Sequence, residues 1–452
     1  MKLAIIHYFS LNCNNRHQYR TYMRNFNRRS FLQVLKALSA GSLLPATSWS
    51  QNLHKALKTA ENTPPETLAA DEDFWQYIRQ SYTGSPYWID LNSAGLSASP
   101  KMVQEALKSY ADLCNEIPSY NLRRVLDAGK EVLRRKLATL CGCPPEELAI
   151  QRNATEALET IIFGLALKAG DEVVLCRQDY STVIAAWKQR EQRDGIKLVW
   201  VNLQMPSEDN AYLANAYIRA FTPKTKVVNI THMINWNGQI LPVKTIADAA
   251  HQRNIEVMVD GAQSLAQFKF TIPELGADYF GASLHKWLGA PIGTGLLYVK
   301  KEKIKNLYAL FAPSNLQSTD MEKFEHSGTR PTATEQAIQK AIDFHEMIGQ
   351  ERKEQRLQYL KNYWMTKVQH LPGVELCTSM QPDFACAIGM INIKGKNPGD
   401  LMAYLGKNYL IHVIAVDLEG IKGVRISPNV FTTTRELDQL VEGIRAYTAF
   451  TK

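Results

Sequence analysis

Two short stretches place a reactive side chain just after an apolar segment. Residues 257–263 run from an apolar segment into Asp260, and residues 283–289 carry Lys286 ahead of a glycine-rich loop. Open α/β sheets bind ligands at the carboxyl ends of their strands, so a carboxylate and an amine in these positions face one site. Partial desolvation disfavours the ammonium form of a lysine and makes its amine nucleophilic near neutral pH. The pattern predicts a Lys286 nucleophile beside an Asp260 carboxylate.

An amine and a carboxylate in one site suit the chemistry of pyridoxal 5′-phosphate (PLP). PLP needs an amine that holds its aldehyde as a Schiff base. It also needs a carboxylate that keeps its pyridine nitrogen protonated, so that the ring withdraws electrons from the substrate Cα. Lys286 and Asp260 meet these needs, and the released Lys286 amine is the natural general acid and base. We therefore expect PLP as the cofactor, held by Lys286 as an aldimine.

The phosphate and the ring of PLP need further partners. Oriented N–H donors are expected at Asn153, Ala154 and Thr155, between a strand end and a helix start, and Thr155 adds its hydroxyl. Tyr180 follows the next predicted strand and is placed to stack on the pyridine ring as a catalytic partner of Lys286. Alone, a strand-end aspartate is about as often a turn cap as a ligand, so the combination of residues carries the prediction.

Helical and strand patterns alternate along the chain after a polar stretch, 51–73, which predicts an α/β fold with a mostly parallel sheet between helices. The predicted strands are 148–151, 172–176, 197–202, 225–231, 256–260, 279–283 and 295–299. A long amphipathic helix, 335–370, leads into a smaller α+β unit with strands near 374–378, 387–393, 412–416 and 424–427 and a last helix, 434–450. The expected divisions are a signal region, 1–50, an N-terminal segment, 51–86, a large domain, 87–334, and a small domain, 335–452.

From about residue 87 to residue 450 the chain resembles the class V aminotransferase-fold PLP enzymes, a group that includes cysteine desulfurases and isopenicillin N epimerase. The resemblance rests on Asp260-x-x-Gln263, Ser283-x-His285-Lys286 and Gly328-Thr329, in this order on alternating elements. It implies the type I fold of PLP-dependent transferases, with a sheet of the seven-stranded type in the large domain and a smaller C-terminal domain.

The resemblance also implies roles for single residues. Gln263 and Asn235 are expected to contact the ring hydroxyl, and Thr155, Ser283 and His285 the phosphate. Thr329 resembles a phosphate ligand supplied by a neighbouring subunit, which implies a homodimer with shared active sites. The following residues are expected on the substrate side: Arg425, which resembles the arginine that clamps the substrate carboxylate, and Asn92.

The sequence leaves the reaction open among neighbouring types. Cysteine desulfurases carry their persulfide cysteine between the small-domain helix and the arginine strand, but residues 405–424 contain no cysteine, and Cys377 and Cys386 precede that helix. With Tyr180 at this position, the chain resembles the epimerase-like branch of the group. We expect an epimerase-like or aminotransferase-like enzyme that acts at Cα of an amino acid or peptide-derived amine. A PLP-dependent lyase, a periplasmic siderophore-tailoring enzyme and a non-catalytic PLP-binding protein are the alternatives, and the complete set of Lys286, Asp260 and Arg425 argues against the last.

The first residues resemble a twin-arginine export signal. Residues 27–32 read Asn-Arg-Arg-Ser-Phe-Leu and precede an apolar run, 34–46, too short and interrupted to span a membrane. A start at Met23 would give a signal of more usual proportions. We expect cleavage near Gln51, a transient encounter with the Tat translocase, no stable membrane anchor and a periplasmic product.

Charge and cysteine content exclude other classes. The chain has 52 Lys and Arg against 44 Asp and Glu, and six basic residues between 16 and 36 face no acidic one, so the body offers no basic stripe for nucleic acid. Cys13 lies in the leader. Among the other six cysteines only Cys141 and Cys143 are close in sequence, which predicts neither a zinc site nor an unstrained disulfide.

Overall fold

The computed structural model describes residues 48–449, and its centre is a seven-stranded sheet. The strand order is β2-β8-β7-β6-β5-β3-β4, with parallel pairing from β7 through β6, β5 and β3 to β4, whereas β8 runs antiparallel to both β7 and β2. The strands are β2, Leu148–Gln151, β3, Glu172–Cys176, β4, Lys197–Val201, β5, Thr225–Thr231, β6, Glu256–Asp260, β7, Tyr279–Ser283, and β8, Gly295–Val299. The predicted α/β fold with a mostly parallel sheet is confirmed.

The central strands are buried on both faces because helices cover the sheet on each side. In β6, Val257, Met258 and Val259 are completely buried, as expected for a strand of near-continuous apolar residues in a parallel sheet. The helices of this part are Lys101–Glu116, Pro118–Tyr120, Lys130–Cys141, Ala154–Gly164, Ser181–Asp194, Asn210–Ile218, Val243–His251 and Lys301–Ile304, with a π-helical turn at Asn121–Leu126.

The C-terminal unit is built on an antiparallel sheet of order β12-β13-β10-β9. Its strands are β9, Val374–Leu376, β10, Gly389–Ile393, β12, Ile414–Leu418, and β13, Ile421–Ile426, and the helices Pro398–Tyr409 and Thr434–Ala449 accompany them. A short strand near the N-terminus, β1, Ile89–Asp90, pairs in parallel with β11, Ile411–His412. Residues just before the large sheet are therefore paired to the C-terminal unit.

The predicted helix over 335–370 is wrong in one respect, because the structure divides it in two. The helices Thr332–Ile348 and Gln350–Val368 meet at Gly349, which has a φ of 89°. That angle lies in the left-handed region, where a glycine carries no Cβ penalty, and it ends the first helix.

The segment before the large sheet is helical rather than only polar. It forms the helices Ser48–Thr59, Pro65–Leu68 and Glu72–Gln80, and Leu53 and Trp75 are buried in a cluster with residues of the C-terminal half. Arg356, fully buried on helix Gln350–Val368, donates to the carbonyl oxygens of Ala69 (2.9 Å) and Thr432 (3.0 Å). The predicted export motif lies outside the described residues, and among those described no helix is long and apolar enough to cross a membrane.

Candidate active site

Lys286 lies in a tight loop directly after β7. The Gly289 amide donates to the Lys286 carbonyl (3.1 Å) and the Ala290 amide to the Leu284 carbonyl (3.0 Å), and Gly289 has a φ of 71°. The Lys286 side chain is half-buried. Burial lowers the pKa of its amine to about 8, with Asp260 opposing this shift and Arg425 adding to it.

Asp260 is the last residue of β6 and is buried. Because β6 lies next to β7, this position places the carboxylate on the same side of the sheet as the loop of Lys286. Its Oδ1 accepts from the Ala262 amide (2.9 Å), and its carbonyl accepts from the His232 amide (2.9 Å). Burial raises the pKa of Asp260, while the Ala262 N–H and the Lys286 amine act against that rise. Each of the two groups shifts the pKa of the other, so the structure brings Asp260 and Lys286 into one site.

The helix Ala154–Gly164 begins beside the end of β7, where the phosphate was expected. Asn153 caps this helix by accepting from the Glu156 amide (2.8 Å), and the Ala154 amide donates to the Ser283 hydroxyl (2.9 Å). Among the described residues, the Thr155 amide and hydroxyl have no hydrogen-bond partner, and the Ser283 hydroxyl keeps its own proton to donate. Thr155 and Ser283 therefore offer donors to an anion, whereas Asn153 and Ala154 serve the helix start.

A glycine allows this close approach of strand and helix. A Cβ on Gly295, at the start of β8, would lie 2.7 Å from the backbone N, Cα and C atoms of Asn153. Because backbone atoms cannot move aside as a flexible side chain can, no larger residue fits there.

His285 is held in one orientation by the backbone. Its Nδ1 lies 3.0 Å from the Thr294 carbonyl, which can only accept, so Nδ1 carries the proton in the neutral ring. Its Nε2 is then an acceptor and donates to a phosphate only in the imidazolium form. Burial lowers the pKa of His285, and Lys286 lowers it further, so an incoming anion would have to stabilise that protonated form.

Arg425 reaches the site from β13 and is 7% exposed. One terminal nitrogen donates to the Asn235 carbonyl (2.7 Å) and the other to Asn92 Oδ1 (2.8 Å). Burial lowers the pKa of Arg425 to about 10. Among the described residues, its Nε and the Asn235 Oδ1 are buried without a hydrogen-bond partner. Buried polar atoms of this kind normally have a partner, so this pair of atoms indicates a place for a bound polar group.

Tyr180 stands at the opening of the site. It precedes the helix Ser181–Asp194, is 42% exposed, and acts electrostatically on Arg425. Sequence reasoning gave no role to the preceding Asp179, which is completely buried. Asp179 accepts from the Thr231 hydroxyl (2.7 Å) and the Asn229 amide (2.8 Å), and thereby joins the segment between β3 and Tyr180 to the end of β5. The available signal was a carboxylate three residues after a buried strand.

Gln263 has protein partners on both sides of its amide group. Its Oε1 accepts from the Trp287 indole N–H (2.9 Å) and its Nε2 donates to the Ala94 carbonyl (2.9 Å). One N–H of the amide and one lone pair of Oε1 remain for the predicted contact to a ring hydroxyl. The structure adds a role for Gln263 that the sequence did not indicate, which is to hold the residue next to Lys286.

Thr329 is exposed and follows Gly328, which has a φ of 75°. The adjacent Arg330 fixes this segment to the large sheet by donating to the Ile150 carbonyl (2.7 Å) and by pairing with Glu335 (2.6 Å). The side chain at 329 is thus presented on the surface by a well-anchored turn.

The residues present fit the group that the sequence predicts. An amine with a lowered pKa, a buried carboxylate, free donors at a helix start and unpartnered buried polar atoms surround one place, as a flat, anionic pyridine aldehyde requires. Within 48–449, no group of His, Cys, Asp and Glu could hold a metal ion, and all six cysteines are free thiols.

Residues 405–424, the interval without a cysteine, lead through β11 into a hairpin of β12 and β13. Strands β12 and β13 are joined at Glu419 and Gly420, both with positive φ, and the Glu419 carbonyl accepts from Gln178 Nε2 (3.3 Å). The tip of the hairpin therefore rests on the segment that leads to Tyr180. Burial raises the pKa of the Cys377 thiol to about 11 and that of Cys386 well above its usual value, so both are poor nucleophiles.

The chain is similar to known proteins over most of its length. The family described as aminotransferase class-V matches residues 89–440. The chain is 26% identical to isopenicillin N epimerase from Streptomyces clavuligerus, covering 83% of this chain and 98% of that protein. It is 29% identical to a probable cysteine desulfurase from Halalkalibacterium halodurans, covering 81% and 94%. A solved structure of a C-DES mutant with glycine covalently linked to its PLP cofactor superposes with a TM-score of 0.73 at 20% identity, over 82% of this chain and 99% of that one.

The shared environment of Lys286 and Asp260 predicts a change in lysine reactivity. Asp260→Asn removes the attraction that opposes the lowering of the Lys286 pKa, so that pKa should fall further below about 8. For a decrease of about one unit, acetylation of Lys286 in the cofactor-free protein should be roughly fivefold faster at pH 7. Peptide mass spectrometry after acetic anhydride treatment across pH measures the rate.

Asp278→Asn is the matched control, because Asp278 is equally buried but bonds His251 and the Val257 amide. It should leave the Lys286 profile unchanged. Equal profiles for Asp260→Asn and the unaltered protein would show that the two groups do not share a site.

Proposed function

Because the chain belongs to the aminotransferase class V family, we propose that it is a PLP-dependent enzyme acting at Cα of an amino acid or peptide-derived amine, with Lys286 as the attachment residue. The observation that carries the proposal is the pair of the half-buried Lys286, just after β7, and the buried Asp260, at the end of the neighbouring β6, in which each group shifts the pKa of the other. Epimerase-like and aminotransferase-like reactions both begin with the same proton removal at Cα, and a lyase reaction does so before elimination.

Bound PLP supplies an electron-withdrawing ring that weakens the bonds at the substrate Cα. The Asp260 carboxylate would hold the protonated ring nitrogen. Thr155, at the start of helix Ala154–Gly164, and Ser283, at the end of β7, would donate to the phosphate. Tyr180 would cover the open side of the ring. Lys286, with a pKa of about 8, is present in both protonation states near neutral pH and can take up or return a proton at Cα.

Arg425 is proposed to bind the substrate carboxylate. Asn92 and Asn235 hold its two terminal nitrogens, which fixes the plane of the guanidinium before substrate arrives. The unpartnered Nε and the remaining terminal N–H groups are then available to a carboxylate. Cysteine-based sulfur transfer is disfavoured because residues 405–424, which lead into the β12–β13 hairpin, contain no thiol.

The attachment of PLP at Lys286 is directly testable. Borohydride reduction of the PLP-loaded protein should fix the cofactor on the peptide that contains Lys286, and Lys286→Ala should lose that adduct completely. Lys361→Met, which alters another buried lysine, is the control and should retain it. A reducible adduct that survives in Lys286→Ala would refute the assignment.

The same preparation reports on the substrate. Addition of an amino acid should change the visible band of bound PLP at a lower concentration than its decarboxylated amine, since only the former engages Arg425. Arg425→Met should weaken the binding of the amino acid by roughly tenfold to a hundredfold, as expected when a charge-assisted hydrogen-bonded pair is lost. A protein whose band responds to no amine would be a PLP-binding scaffold.

We also propose a homodimer in which Thr329 of one protomer contributes to the partner's phosphate site. Thr329 is exposed, and the segment from 308 to 316 carries exposed apolar side chains, among them Tyr308 (54%), Phe311 (49%) and Leu316 (51%). Apolar side chains grouped on one segment are typical of an interface rather than of a free surface.

The double substitution Phe311→Asp with Leu316→Asp should convert the dimer into monomers and speed the loss of PLP, because two charges would be buried at the contact. Sedimentation velocity measures the mass. Tyr87→Asp, at an exposed aromatic outside the segment, is the control. An unaltered mass for the double variant would contradict this interface.

Export through the twin-arginine route is proposed from residues 27–32 alone, and it suits a protein that must take up a cytoplasmic cofactor before crossing a membrane. Arg28→Lys with Arg29→Lys should retain the protein in the cytoplasm, while Arg24→Lys, outside the arginine pair, should not. Immunoblots of periplasmic and cytoplasmic fractions distinguish these outcomes. Normal export of the first variant would exclude this route.

A further inference from the structure

The residue that follows Lys286 is held by side chains from two distant parts of the chain. Trp287 is 1% exposed, and its indole N–H donates to Gln263 Oε1 (2.9 Å). Its carbonyl oxygen accepts from the Nζ of Lys353, which lies on helix Gln350–Val368. Since the Lys286 carbonyl is bonded to the Gly289 amide, two successive carbonyls at the attachment residue have fixed partners.

Lys353 has an unusual environment for a lysine. It is 4% exposed, and among the described residues it forms no ion pair. Besides the Trp287 carbonyl, its Nζ has one further hydrogen-bond partner among the described residues, the His345 Nδ1 at 3.4 Å, and the Cys386 thiol acts on it electrostatically. Burial lowers the pKa of Lys353 to about 7 and that of His345 to about 3. Burying an amine without a carboxylate is costly unless it is hydrogen-bonded, so the bond to Trp287 is the main compensation at this position.

We propose that Lys353 is a positioning residue for Lys286, acting with Gln263 to clamp Trp287 and so fix the backbone from which the Lys286 side chain extends. The inference rests on the proposed attachment of PLP to Lys286. The clamp connects the loop that carries Lys286 to helix Gln350–Val368. The position of the Lys286 amine therefore depends on a helix that lies outside the large sheet.

The same helix provides a matched control. Lys361 is also completely buried, its Nζ donates to the Ser379 carbonyl (2.6 Å), and burial lowers its pKa to about 8. Both lysines therefore place an amine on a backbone carbonyl in a dry environment, and only the acceptor of Lys353 adjoins Lys286. A general effect of burying a lysine would appear in both variants.

The experiment compares Lys353→Met and Lys361→Met in the PLP-loaded protein. Two measurements are made without reference to activity: the rate at which hydroxylamine removes PLP, and the visible circular dichroism per bound PLP. The loss of one hydrogen bond from an amine of this kind corresponds to about a tenfold change in a rate or equilibrium constant. Lys353→Met should therefore release PLP about tenfold faster and show a weaker dichroic signal. Lys361→Met should match the unaltered protein in both, whatever its melting temperature.

Equal release rates and equal dichroism for the two variants would overturn the inference. If Lys353→Met does not fold, Trp287→Phe removes the indole bond to Gln263 and keeps the ring, and it should also speed PLP release and weaken the dichroism; no change would overturn the clamp. An unaltered protein that shows no borohydride-trapped PLP on Lys286 would refute the proposed function itself, which is a separate result.

Discussion

Burial acts on the two central groups of this site in opposite directions, and the rest of the structure serves to keep them together. It raises the pKa of the Asp260 carboxyl and lowers that of the Lys286 amine, while their mutual attraction opposes both shifts. The register of β6 against β7 pairs Asp260 with Gly281, so the chain leaves β7 beside the carboxylate and reaches Lys286 within one loop. Parallel pairing of two buried strands is thus what makes the chemistry possible.

The strands of the large sheet supply only part of the site. Arg425 comes from the antiparallel C-terminal sheet, and Asn92, which accepts its hydrogen bond, comes from the segment just after β1. Ser427 bonds the backbone on both sides of Asn92, at Leu91 and Ser93. The substrate side therefore depends on pairing between chain segments more than three hundred residues apart, whereas the cofactor side depends on adjacent strands.

This division explains what the sequence could predict. The seven strands of the large sheet were predicted almost to the residue because each is a short apolar run between turn residues, and Asp260 and Lys286 lie at fixed offsets from their ends. The local sequence pattern could not predict the hydrogen bonds that join Trp287 to Gln263 and to Lys353, since these residues lie far apart in sequence. The helix break at Gly349 was missed because one glycine within a long apolar periodicity is a weak signal. The helical segment before β1 was missed because its few buried residues, such as Leu53, are spaced among many polar ones.

A lowered lysine pKa does not by itself mark the reactive amine in this protein. Burial lowers the pKa of Lys323, Lys353 and Lys361 as well as that of Lys286. The first three each donate from Nζ to a backbone carbonyl, of Ile304, Trp287 and Ser379 respectively. Among the described residues, the Nζ of Lys286 has no hydrogen-bond partner, and Lys286 is the one of the four on which a buried carboxylate, that of Asp260, acts. Lys361 is influenced by Glu208, which is an exposed residue. An amine without a partner, beside a buried carboxylate, is what distinguishes this candidate nucleophile from the structural lysines, because the other three amines are held on backbone carbonyls and would have to give up those hydrogen bonds to reach a ligand.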